Sequence, residues 1–187
     1  MRRFKRFTGL IPLLILWLMG SVLLWGWIFT RLTDTVPQRK IVLFVDGEVP
    51  RSVELAAVLE ESKPEGIKMI QVHPFSYAML NGDALRSADL YLVRASDAEQ
   101  YREWFAPLPP AMISGKNLPE DGRSGLKAYD AVTGKGAASE YIAYMPAGAE
   151  PEDYYLFFGA SSLHVPGMEN AVDDAALSVA RTLLSMP

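Results

Sequence analysis

Residues 10–29, LIPLLILWLMGSVLLWGWIF, form a run of twenty without a single charge, and no other feature constrains the chain as strongly. A helix rises about 1.5 Å per residue, so such a run reaches roughly 30 Å, the hydrocarbon thickness of a bilayer. Trp25 and Trp27 fall near its far end, where amphipathic rings favour an interface. Pro12 sits in the first turn, where its missing N–H costs little. Arg2, Arg3, Lys5 and Arg6 precede the run, whereas Arg31, offset by Asp34, follows it. This bias predicts a single-pass segment with the N-terminus inside and the rest of the chain outside the cytoplasmic membrane. A cleaved signal peptide would have a shorter apolar core ending in small residues, and Ile28-Phe29-Thr30-Arg31 offers no such site. The expected organisation is a basic cytoplasmic tail at 1–9, a transmembrane anchor at 10–30, a polar tether at 31–39 and one extracytoplasmic domain at 40–187.

From Arg31 onward there are 14 basic and 22 acidic residues, a formal charge of −8. A surface of that sign repels phosphate backbones, and no basic stripe is interleaved with aromatics, which argues against a nucleic-acid partner. The chain has no cysteine, which excludes disulfides, thiolate metal sites, a cysteine nucleophile and the lipid-accepting cysteine of a bacterial lipoprotein. Roughly 150 residues are enough to bury a core without such staples.

The outer portion reads as α/β. Residues 40–45 are a β-branched apolar run ending at Asp46-Gly47, followed by a helix from Pro50 and Ser52 that stops before Pro64. Residues 67–72 and 88–93 are two further strands, with a short helix from Phe75 broken at Asn81-Gly82. Ser96 and Glu99 have the spacing of a capping box, which predicts a helix to about Phe105. Alternating strands and helices imply a mostly parallel sheet covered by helices on both faces. Residues 106–125 are a Pro/Gly-rich loop, and 125–131, 140–144 and 154–158 are aromatic-rich strands, the last two suited to an antiparallel C-terminal hairpin. A final helix begins at Asn170 or Asp173.

This succession resembles the extracellular solute-binding proteins of ABC importers, of the two-lobed type with a mixed central sheet. The likeness lies in Lys40 to Asp46 as an opening strand, and in Leu80-Asn81-Gly82-Asp83 followed by Ala88-Asp89-Leu90-Tyr91-Leu92-Val93. It continues in Gly125-Leu126-Lys127-Ala128-Tyr129 and in Tyr154 to Leu184. The family inserts its second lobe where this chain has the loop at 106–125, so the chain resembles one lobe alone. The resemblance implies a non-enzymatic domain that binds a small solute or a protein partner, such as a membrane permease or cell-surface protein. The alternative is a surface interaction protein that has lost its ligand.

Ligands of open parallel sheets collect at the carboxyl ends of strands. Those ends carry Asp46, Glu48, His73, Ser76, Tyr77, Arg94 and Ser96, which are the candidate ligand-binding residues, although turn and cap chemistry accounts for the same residue types. Tyr77 and Trp104 suit either sugar stacking or packing. Ser124 and Lys127 match S-x-x-K, a serine-hydrolase pairing, but without a helix after the serine or its partner motifs. His73 and His164 lack metal-ligand spacing, Gly134-Lys135 lacks the rest of a phosphate loop, and Asp173-Asp174 suits a helix start better than a metal. No catalytic residue, cofactor or metal is expected.

Overall fold

The computed structural model describes residues 11–33, 35–79, 82–113, 125–144 and 150–187. The chain divides into two compact units, Met1–Val36 and Pro37–Pro187. The first holds helix α1 (Ile11–Thr33), with Leu16, Trp17, Leu23 and Trp25 exposed. Among the described residues no helix is long and apolar enough to cross a membrane. This corrects the expected transmembrane anchor at 10–30, together with the single-pass location that followed from it.

In the second unit β1 (Lys40–Val45) alternates cleanly: Ile41, Leu43 and Val45 are fully buried on one face, with Val42 and Phe44 on the other. Helix α2 (Ser52–Glu61) turns Leu55 and Leu59 to the first face, four residues apart and therefore on one stripe. Strands β2 (Met69–Pro74) and β3 (Leu90–Arg94) pair in parallel with opposite edges of β1. Helix α3 (Gly82–Arg86) lies between them in sequence. Strand β4 (Leu126–Asp130), β5 (Lys135–Gly136), β6 (Tyr154–Phe158) and helix α4 (Ala175–Ser185) complete the unit. Ala176, Val179, Ala180 and Leu183 of α4 join the core of α2.

The sheet order is β2-β1-β3-β6-β4-β5. Only the two ladders of β1 are parallel; β3–β6, β6–β4 and β4–β5 are antiparallel, so the sheet is mixed rather than mostly parallel. The expected hairpin of 140–144 with 154–158 is also corrected. Residues 140–144 form no strand beyond an isolated Ala143–Glu48 bridge, and the hairpin partner of β4 is β5. The reason lies in Tyr154-Tyr155-Leu156-Phe157-Phe158, in which every residue is buried. A strand apolar on both faces needs neighbours on both edges, and β6 finds them by inserting between β3 and β4.

The two faces are covered unequally. Helices α2 and α4 pack on the first. On the second lie α3 and the 3₁₀ turns Phe75–Met79 and Arg102–Trp104, over an aromatic cluster that includes Phe44, Tyr91 and Phe157. The helix expected from Ser96 does not form: residues 95–101 are turns, and Ser96 donates its hydroxyl to Glu152 Oε2 at 3.0 Å instead of capping. Trp104 stacks on Tyr101 with centroids 4.9 Å apart, a packing role.

Candidate functional site

The rim at the carboxyl ends of β1 and β3 is a closed ionic cluster. Arg94 Nε donates to Asp46 Oδ2 at 3.0 Å and Nη2 to Asp46 Oδ1 at 3.2 Å, while the same Nη2 lies 2.6 Å from Asp97 Oδ2. Asp46 is buried and the fork is bidentate, the geometry that suits a guanidinium best. Side-chain hydrogen bonding to Asp46 holds the Arg94 charge firmly. Burial, followed by the proximity of Asp46, pushes the Asp97 carboxyl upward. Glu152 binds both the backbone N–H and the hydroxyl of Ser96. Glu48 and Ser76 are exposed. Asp46, Arg94 and Ser96 are thus brought together, but their hydrogen-bonding capacity is largely spent on one another and on their neighbours.

His73 and Tyr77 lie elsewhere, on the second face, with rings stacked at 4.2 Å and 8°. They form one wall of a cleft of about 350 Å³ over the β1–β2 edge. Val42, Pro37, Ala84 and Leu163 give it apolar surface, and Lys40, Gln71, Ser87, Asp89 and Ser161 its polar groups. That volume falls at the lower end of small-molecule sites, roughly 300–1,000 Å³. Lys40 enters no ion pair among the described residues. Burial, with the nearby Lys40 charge, lowers the pKa of His73 and favours its neutral form. Lys40 and His73 therefore face the same space.

Beneath the cleft runs a buried polar network. Asp89, 4% exposed, accepts the Val42 N–H at 2.8 Å and the Ser162 hydroxyl at 2.5 Å. Burial raises its pKa against those two donors. The Ser162 oxygen accepts the backbone N–H of His164 at 2.9 Å. The His164 ring, fully buried, places Nδ1 at 2.8 Å from Asp173 Oδ1 and Nε2 at 3.2 Å from the Pro37 carbonyl oxygen. Both partners are acceptors, and only an imidazolium donates from both nitrogens. Burial opposes that charge, but Asp173 and the field of Asp89 outweigh it and raise the pKa of His164. Serine, histidine and aspartate thus occur together without a nucleophilic relay, because the Ser162 hydroxyl meets the backbone of His164 and not its ring.

Lys127 lies 2.9 Å from Asp153 and 3.3 Å from Asp130, and hydrogen bonding to Asp153 above all raises its pKa to about 12. That is the opposite of what a general base requires; Ser124, its expected partner, falls outside the described residues. Among the described residues no cluster of His, Asp and Glu has the arrangement of a metal site.

Sequence reasoning passed over Lys40, Asp89 and Ser162 as site residues, and weighed His164 only as a metal ligand. One signal was present: 161–164, Ser-Ser-Leu-His, alternates, so that Ser161 and Leu163 face the cleft while Ser162 and His164 turn inward. Fold and site together define a mixed α/β domain with a single-sided, small-molecule-sized cleft. No protein-family model matches the chain, and no curated protein or solved structure matches it either.

Proposed function

We propose that the Pro37–Pro187 unit is a non-enzymatic binding module, similar to one lobe of a solute-binding protein, with its site in the cleft over β1 and β2. The observation that carries this reading is Lys40, a cation without an ion-pair partner among the described residues, in a cleft with largely apolar walls. The side chains that resemble catalytic groups, by contrast, are engaged in ion pairs or in the buried network. The mixed central sheet supports the likeness to such a lobe.

A thermal-shift screen of the full chain against sugars, amino acids, organic acids and peptides tests the proposal. A ligand at a hundred times its dissociation constant adds about 2.7 kcal/mol to stability. The expected hit is lost in Ser87→Trp, which fills the cleft from its exposed lip, and is kept in Arg94→Ala. A hit with the reverse dependence moves the site to the rim, and a screen without hits removes the reading.

A further inference from the structure

Resting on that reading, we infer that the cleft takes a small organic monoanion, a carboxylate on a compact apolar body, with its charge at Lys40 and His73 and its body against Tyr77, Val42 and Leu163. The argument begins with the charges that line the cleft. They are Lys40 from β1, His73 from β2 and Asp89 at the start of β3, with the neutral hydroxyls of Tyr77, Ser87 and Ser161 and the amide of Gln71 around them. Asp89 is 4% exposed and already accepts from Val42 and Ser162, so its carboxylate is directed into the protein. Lys40 is only half-buried and enters no ion pair among the described residues. The cleft therefore presents one positive charge to solvent, on a chain portion whose formal charge is −8.

A single ammonium suits a single carboxylate. A phosphate dianion calls for more donors, commonly an arginine fork or a helix N-terminus, and among the described residues no arginine lines the cleft. A cationic ligand meets Lys40 unfavourably. The neutral imidazole of His73 adds a second donor beside Lys40, and the exposed side of Tyr77 offers a flat apolar surface.

Linkage makes the inference measurable. Burial and, after it, the Lys40 charge depress the pKa of His73, and an anion bound between the two side chains offsets the Lys40 contribution and raises it. The chain has two histidines, so His73 and His164 give one imidazole resonance each, the second serving as an internal control. The experiment is a pH titration of the full chain, labelled at histidine Cε1, alone and with acetate, hexanoate, benzoate or the neutral isostere benzamide.

The expected result is a saturable shift at His73 with a raised pKa for at least one of the carboxylates, benzamide binding at least about tenfold more weakly than benzoate, and an unmoved His164. Lys40→Met raises the His73 pKa without ligand and abolishes the preference for carboxylate, while Lys40→Arg retains it. An unchanged His164 resonance in each variant shows that the fold is intact. Equal binding of benzamide and benzoate overturns the anion inference and leaves the cleft as a binding site. A His73 resonance that none of the four moves at millimolar concentration overturns the anion inference, and whether the wider screen finds a hit then decides the cleft separately.

Discussion

Ser162→Ala is the sharpest test of the network that supports the cleft. The hydroxyl is 1% exposed, donates to Asp89 Oδ1 at 2.5 Å and accepts from the His164 N–H at 2.9 Å. Its removal takes one donor from a buried carboxyl and orphans one buried backbone N–H. A hydrogen bond to a charged group contributes roughly 1.5–3 kcal/mol, and an unsatisfied buried donor costs roughly 1–3 kcal/mol. Asp89 keeps its bond from Val42, so the sum is taken near its lower end, about 3 kcal/mol. For a domain of this size that corresponds to a fall in Tm of about 6–12 °C. Urea denaturation followed by far-UV circular dichroism measures it. Ser185→Ala, which removes an exposed hydroxyl bonded to Thr182 O within α4, is the control and should stay within about 0.5 kcal/mol. A loss below about 1 kcal/mol for Ser162→Ala would refute the reasoning, since water would then be reaching the buried network.

Two further outcomes follow from the same region. His164 has a raised pKa in the folded chain, so its contribution is fully present below the unfolded imidazole value, about 6.5, and is lost as pH rises through the folded value. Asp89, also raised, favours its protonated form in the fold and so also loses stability as pH increases above the ordinary carboxylate range. Denaturation midpoints from pH 5 to 9 should decline with pH, and the decline should be smaller in His164→Phe; a wild-type profile that stays flat contradicts the imidazolium assignment. Gly159→Ala should cost at least about 3 kcal/mol, because an added Cβ would stand 1.9 Å from the Ala88 carbonyl oxygen, a backbone atom fixed beside the Asp89–Gly159 hydrogen bond. Gly82→Ala, with nothing within 4 Å of its Cβ, should be neutral in the same assay.

The parts of the fold legible in the sequence are those that local physics decides. Ile41, Leu43 and Val45 alternate with Val42 and Phe44, and Leu55 and Leu59 share one helical stripe, so β1 and α2 are set by period alone. The pairing of β6 was not legible, because alternation states how a strand is buried and not which strand it meets. Its partners are settled by the need to cover Tyr155 and Phe157 on one face and Leu156 and Phe158 on the other. The Ser96 capping box failed for a similar reason. Local spacing offered Glu99 as the reciprocal partner, but Glu152, 56 residues away, outcompeted it, and Glu99 pairs with Arg102. In residues 10–29 composition alone suggested a span of the bilayer, and among the described residues no helix is long and apolar enough to make one.

The position of the cleft follows from the same competition between local and distant contacts. The rule that ligands gather at the carboxyl ends of strands pointed to Asp46 and Arg94, yet β6 runs antiparallel there and brings Glu152 and Asp153 to the rim. The charges at that edge then satisfy one another, Arg94 with Asp46 and Asp97, Lys127 with Asp130 and Asp153. On the second face the covering elements are short. A five-residue α3 and a five-residue 3₁₀ turn leave the β1–β2 edge incompletely covered, whereas α2 and α4 on the first face contribute ten and eleven residues. A half-covered sheet exposes apolar surface unless it is narrow or occupied. Here it is narrow, closed below by the buried Asp89–Ser162–His164 network and bordered by Lys40, which explains why the cleft opens on the face of the sheet and not at its rim.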